Sequence, residues 1–195
     1  MLTQNETEIL SCFFPKLADF TAKEIELKTG LSHETTFRLL KNLVQEKHIK
    51  EKKVGKTNVY EFIKDDLTYQ VFVHHVTKKR LAFKEKHLLI YKRLYEFLNE
   101  LSPEGPAIIF GSYAKETETK KSDIDLLCVT TKKSAGRLAQ EFKTKYDLNI
   151  QVLIVKPSDF KNIKKDNPVF WSDLIEYGMV LDGIDYYFKE VYKND

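Results

Sequence analysis

The 195-residue sequence predicts an α+β fold built in parts: a helical N-terminal region closed by a β-hairpin, a helical connector, and a C-terminal small mixed β-sheet with helices. Three observations carry this reading. Helix start and stop signals follow one another up to Glu46 and then give way to two β-prone runs. Residues 65–101 contain neither Gly nor Pro and are rich in helix formers. After the breaker cluster Ser102-Pro103-Glu104-Gly105-Pro106, apolar strand-like runs alternate with helical ones. The expected divisions are therefore 1–64, 65–102 and 103–195.

Taken in order, Ile9, Leu10 and Phe13 recur at helical spacing over Gln4 to Phe14, and Pro15 is expected to end that helix. Thr21-Ala-Lys-Glu24 is a capping box: the threonine hydroxyl satisfies an orphan amide and the glutamate reaches back. The short helix it opens stops at Gly30. Ser32 caps a third helix through about Glu46, with Thr36, Leu40, Leu43 and Val44 inward and His33, Glu34, Thr35, Arg38 and Lys41 outward. IKEKKV and TNVYEFI, joined by Gly55-Lys56, then read as a hairpin.

In the connector, Leu88, Tyr91, Leu94, Tyr95, Leu98 and Leu101 form a helical stripe, and Tyr69 to Phe83 reads as a second helix. Its His74-His75 pair is no metal site, because adjacent helical side chains point about 100° apart. A homodimer through this connector is left open by the sequence.

Composition sets further bounds. A hydrophobic share of 42% and an aromatic share of 12% are enough to fill two cores. No apolar run approaches a membrane span and MLTQNETEIL lacks the form of a signal peptide, so no membrane and a cytoplasmic location are expected. Cys12 and Cys128 read as small buried hydrophobes. The net charge of +3 says little, but Lys47, Lys50, Lys52, Lys53 and Lys56 crowd one stretch, whereas residues beyond Pro103 hold 14 Lys/Arg against 15 Asp/Glu.

The chemistry concentrates between Phe110 and Leu127. The apolar run Ala107 to Phe110 enters Gly111-Ser112, where glycine lets backbone approach an anion and serine adds a donor. Further on, Asp123-Ile124-Asp125-Leu126 alternates with period two, which puts both carboxylates on one strand face. Like charges so placed repel and are best tolerated around a divalent cation. Nucleotide phosphate plus Mg2+ or Mn2+ is the chemistry this pattern fits.

Gly-Ser, ten residues, then Asp-x-Asp resembles the signature of the DNA-polymerase-β-type nucleotidyltransferase superfamily, and the SDIDLL wording resembles its minimal nucleotidyltransferase group. The resemblance implies a nucleoside triphosphate, ATP favoured by analogy, held by Gly111, Ser112 and Lys115, with Asp123 and Asp125 as catalytic metal ligands. Relatives often have a basic residue followed by glycine after the turn, and here Glu116 follows Lys115. Active members bring a third carboxylate from the next strand. Counted back from Pro157-Ser158-Asp159-Phe160, Gln151 takes that place, and a neutral amide binds magnesium weakly and is no base.

The N-terminal region resembles a winged helix-turn-helix, on Thr21, Ile25, Thr29, Gly30, Leu31, Ser32, Leu40, Leu43 and Ile49. Many relatives have a glycine near the end of the third helix, where this chain has Lys47. The resemblance implies double-stranded DNA as partner, with Arg38, Lys41, Lys53 and Lys56 on phosphates or base edges and Ser32, His33, Thr35 and Thr36 lining the start of the third helix. A protein-interaction module is the other use of such a domain.

Three readings follow: an Mg-dependent transferase passing a nucleoside monophosphate to a protein, RNA or small-molecule hydroxyl; a DNA-binding transcriptional regulator with a degenerate nucleotide-sensing domain; and, on family analogy alone, a toxin–antitoxin component.

Overall fold

The computed structural model describes residues 1–193, which form two compact units, Met1–Thr77 and Lys78 onward. The first unit contains α1 (Gln4–Ser11), the two-residue β1 (Phe20–Thr21), α2 (Ala22–Thr29), α3 (His33–Gln45), β2 (Ile49–Val54) and β3 (Thr57–Phe62). The three strands form an antiparallel sheet in the order β1-β3-β2.

Local chemistry explains most boundaries. At α2, Thr21 accepts the Glu24 amide at 3.3 Å and donates its own N–H to the Glu24 carboxylate at 2.7 Å. Thr3 and Glu6 build the same reciprocal cap on α1. That helix closes three residues before the expected Phe14, because the amides of Phe13 and Phe14 turn to the carbonyls three back, at 3.2 Å, and tighten the chain.

The end of α3 is a Schellman motif: Lys47 N–H donates to Val44 and His48 N–H to Leu43. Lys47 takes the left-handed position at φ +64, so a lysine occupies the place for which glycine is suited. The hairpin runs from Ile49↔Phe62 to Val54↔Thr57 around Gly55 at φ +61. Ile9, Leu10, Phe13, Ile25, Leu40, Leu43, Ile49 and Phe62 fill this unit's core. Leu39 joins Thr36, Leu40 and Leu43 on the buried stripe of α3, while Val44 stays partly exposed.

The Gly- and Pro-free stretch forms α4 (Thr68–Lys86) and α5 (Leu88–Leu101), interrupted at His87. Asp65 and Thr68 start α4 with a mutual cap: Asp65 N–H donates to the Thr68 hydroxyl at 2.7 Å, and Leu67 N–H to the Asp65 carboxylate at 2.8 Å. The expected connector is divided, since the boundary between the units falls after Thr77 within α4. On α5 the buried residues are Leu94, Phe97, Leu98 and Leu101, whereas Leu88, the first residue of the helix, is exposed.

The second unit continues with β4 (Ala107–Phe110), α6 (Gly111–Ala114), β5 (Ile124–Val129), α7 (Ala135–Tyr146), β6 (Ile150–Val155), α8 (Pro157–Phe160), α9 (Ile163–Asp166), α10 (Pro168–Tyr177), β7 (Met179–Asp182), α11 (Ile184–Phe188) and a π-helical turn at Lys189–Lys193. The sheet order is β6-β5-β4-β7. β4 lies antiparallel to β5 and β7, and the β5-α7-β6 crossover makes β5 and β6 parallel. Strand β7 is short, its four apolar and acidic residues too few to show a period in the sequence. Ile124, Leu126 and Cys128 from β5 pack with Leu94, Phe97 and Leu98 of α5 and Leu138 and Phe142 of α7 in one core. The intervening residues Asp123 and Asp125 take the other side of β5.

Candidate active site

β4 delivers the chain to the site. Phe110 pairs with Asp125 across the β4/β5 ladder, so the turn that follows sits beside the carboxylates. Gly111 is at φ +67, and a Cβ there would stand 2.1 Å from Asp125 Oδ2. Both the backbone conformation and the closeness of the carboxylate require glycine. Ser112 follows in α6, partly exposed, and its carbonyl accepts the Thr117 amide at 3.0 Å.

The parallel ladder aligns Asp125 with Gln151 and Ile124 with Ile150. Both side-chain amides of β6's start turn to Asp123: Gln151 Nε2 donates to Oδ2 at 2.6 Å and Asn149 Nδ2 donates to Oδ1. The Asp125 carboxylate has no hydrogen-bond partner among the described residues, while its residue pairs in the β4 and β6 ladders. Burial, and secondarily the Asp123 charge, pushes its carboxyl above the ordinary value. Gln151 thus occupies the strand position beside the aspartates, while Asp147 ends α7 and Asp159 lies in α8.

Lys115 is turned away from the carboxylates. Its ammonium pairs with Asp173 of α10 and lies 5.1 Å above the Tyr177 ring, and the hydrogen bond to Asp173 raises its pKa. Glu116 takes φ +56, the left-handed position for which the family's glycine is suited.

In the first unit, Ser32 caps α3 and its hydroxyl binds that of Thr35 at 2.9 Å. His33 Nδ1 lies 2.7 Å from Glu26. Arg38, Lys41, Lys53 and Lys56 are exposed, the first two on α3, the third on β2 and the last in the hairpin turn. Thr36 is fully buried, as its inward placement on α3 expected, and its hydroxyl has no partner among the described residues, so its place among the residues lining the start of the helix is corrected. The sequence reading also missed Phe37, 56% exposed on the outer face and stacked on His33 at 6.4 Å. Its signal was the i, i+4, i+8 series His33, Phe37, Lys41. His74 binds Glu8 at 3.2 Å and His75 lies beside the Phe14 ring, consistent with two separate environments.

Comparison with known proteins places the site in a class. Residues 91–178 match the family model of the nucleotidyltransferase domain. Over 84 residues the chain is 32% identical to a Methanocaldococcus jannaschii protein named "Putative protein adenylyltransferase MJ1305", a match that covers 38% of this chain and 56% of that protein's length. Among solved structures, a toxin–antitoxin with AMP-PNP aligns at 18% identity and TM-score 0.38, covering 53% of this chain and 85% of that one. An IclR family transcriptional regulator from Brucella abortus aligns at 13% identity and TM-score 0.29, covering 89% and 70%.

The donor set bears on the cation that such a domain usually employs. Asp123 and Asp125 are two hard oxygen ligands on one strand face, enough for one magnesium whose remaining ligands are nucleotide phosphates and water. Among the described residues no three His, Cys, Asp or Glu side chains gather as a metal site. The residues fit one nucleotide-borne cation and lack the third carboxylate for a second.

Proposed function

We propose that the second unit binds a nucleoside triphosphate, ATP by preference, and transfers its nucleoside monophosphate to a hydroxyl, with a protein side chain as acceptor. The observation that carries this is the juxtaposition of the Gly111 turn with Asp125, which puts an anion-binding turn and a carboxylate pair side by side. The name of the M. jannaschii relative supports a protein acceptor, and an RNA or small-molecule hydroxyl is the alternative.

In this reading the Gly111 backbone and Ser112 hydroxyl hold the terminal phosphates, and Asp123 and Asp125 hold the cation. A bound divalent cation neutralises phosphate charge and orients the leaving group. The acceptor oxygen bonds to the α-phosphorus, the bond to the bridging oxygen breaks, and pyrophosphate departs. The hydroxyl proton passes to water, since Gln151, a neutral amide, cannot take it. Asn149 and Gln151 fix Asp123 in place.

The first unit is read as a winged helix on duplex DNA, supported by the order helix, strand, helix, helix, hairpin, by the exposed Arg38 and Lys41 of α3, and by Lys53 and Lys56 on the hairpin. A second reading of the whole protein, a nucleotide-sensing DNA-binding regulator, is favoured by Gln151: its amide sits where a transferase needs charge.

Incubation with each α-labelled nucleoside triphosphate and manganese separates these readings. A transferase labels an acceptor or itself, and Asp123→Ala/Asp125→Ala lowers that signal at least 100-fold. Nucleotide binding without turnover selects the sensor, and absence of binding removes both. For DNA, Arg38→Ala/Lys41→Ala is expected to weaken duplex binding and to reduce the slope of log K against log salt by about 2; an unchanged slope would refute the docking.

A further inference from the structure

A cavity of about 190 Å³ lies in the unit that begins at Lys78, with neither Asp123 nor Asp125 in its lining. Its walls include Lys79 and Phe83 of α4, His87, Tyr113 and Ala114 of α6, and Met179 of β7. The Phe83, His87 and Tyr113 rings form a mutually packed set, with centroids 4.9, 5.3 and 6.3 Å apart and Tyr113 edge-on to both others. An apolar cavity of about 150 Å³ is enough for benzene. This one therefore has room for a single six-membered ring with a small substituent.

The polar lining selects the substituent. Lys86, also at the cavity, and His87 both meet the same Glu118 oxygen, at 2.7 and 3.2 Å, so the charge of Lys86 is answered. Lys79 is different. Its ammonium donates to the carbonyls of Tyr177 at 2.9 Å and Gly178 at 3.2 Å, closing the C-terminal end of α10, and it forms no ion pair among the described residues. Two acceptors leave one of three N–H groups. The lining holds two lysines, Lys79 and Lys86, with His87 against one carboxylate, Glu116, so its polar groups favour an anionic substituent.

We propose that this cavity is a binding site for a small aromatic carboxylate, its ring against Phe83, His87 and Tyr113 and its carboxylate on Lys79. α6 connects this cavity to the other site. Gly111 and Ser112 open that four-residue helix beside Asp125, and Tyr113 and Ala114 close it in the cavity wall. A ligand bearing on one end biases the other, and such coupling is reciprocal.

The test uses the full-length chain and benzoate as probe, with benzamide as its neutral counterpart, followed by calorimetry and saturation-transfer NMR. Benzoate is expected to bind at least tenfold more tightly than benzamide. Lys79→Met should erase that preference, and Ala82→Phe, which adds a ring to the cavity wall from α4, should remove both ligands. With benzoate saturating, the Kd for ATP is expected to shift at least threefold, and ATP should shift the benzoate Kd by the same factor. Equal affinity for the two probes, no binding of either, or a preference that survives both variants would overturn the site. Carboxylate-selective binding that leaves ATP affinity unchanged overturns the coupling through α6. Should the chain not bind ATP at all, the selectivity for benzoate and its loss in the variants still decide the site by themselves.

Discussion

Gly111→Ala is expected to weaken nucleotide binding more than tenfold while leaving the second unit folded. Alanine at φ +67 carries a backbone cost of about 1–2 kcal/mol. Its methyl would also stand 2.1 Å from Asp125 Oδ2 and 3.3 Å from Asp125 Cβ, so the carboxylate must rotate off the turn. Binding should suffer more than stability, because the displaced group is the one the site needs. A rise in the Kd for ATP of more than tenfold with a loss of about 1–2 kcal/mol in denaturant unfolding is the anticipated pair of results. Gly136→Ala serves as the control. A Cβ at Gly136 in α7 meets nothing within 4 Å, and the change should stabilise by about 0.5–1 kcal/mol without altering ATP affinity. Wild-type binding in Gly111→Ala would show that the phosphates do not lie on this turn.

The second large effect is expected from Gln151→Glu, and its sign depends on cations and pH. The substitution removes the N–H that Gln151 donates to Asp123 and puts a third carboxylate beside Asp123 and Asp125. Without divalent cation the variant should be less stable than wild type at neutral pH. The wild-type Asp125 already carries the same sign. Its folded carboxyl holds a proton to higher pH than the unfolded chain's, so its ionised form costs stability. That cost is absent below the unfolded value of about 3.8 and grows as pH rises through the raised folded value. In Gln151→Glu the pH-dependent loss should be steeper, and acidification should close the gap to wild type. Manganese should then stabilise the variant more than the wild type, by mass action on a site with one more charged ligand. On the transferase reading, labelling of the acceptor rises at least tenfold. Equal stabilisation of the two proteins by manganese would rule out a role for Gln151 as the position that limits cation binding.

Both experiments rest on features that differ in how far the chain alone discloses them. Gly111 and the aspartate pair could be read from the sequence because each is a local pattern: a glycine after an apolar strand, and a period-two alternation that sorts Asp123 and Asp125 from Ile124 and Leu126. The same holds for the caps at Thr21 and Ser32 and for the hairpin around Gly55, where the interacting groups lie within a few residues of one another. Strand order and register bring these residues together, since the ladder pairs Phe110 with Asp125 and Asp125 with Gln151.

What the sequence by itself determined is thus the set of elements and the residue types brought to the turn, because capping and alternation are short-range and nearly independent of the rest of the chain. The tertiary structure alone decided the partners. Lys115 turns to Asp173, 58 residues away, and Gln151 to Asp123, 28 residues away. Phe37 went outside and Leu39 inside because packing of α3 chose the angle of the buried stripe, a matter of one residue that a polar-versus-apolar count cannot resolve. The aromatic cavity beside α6 likewise exists only where α4, α6 and β7 meet, and no local signal marks a space enclosed by residues a hundred positions apart in the chain.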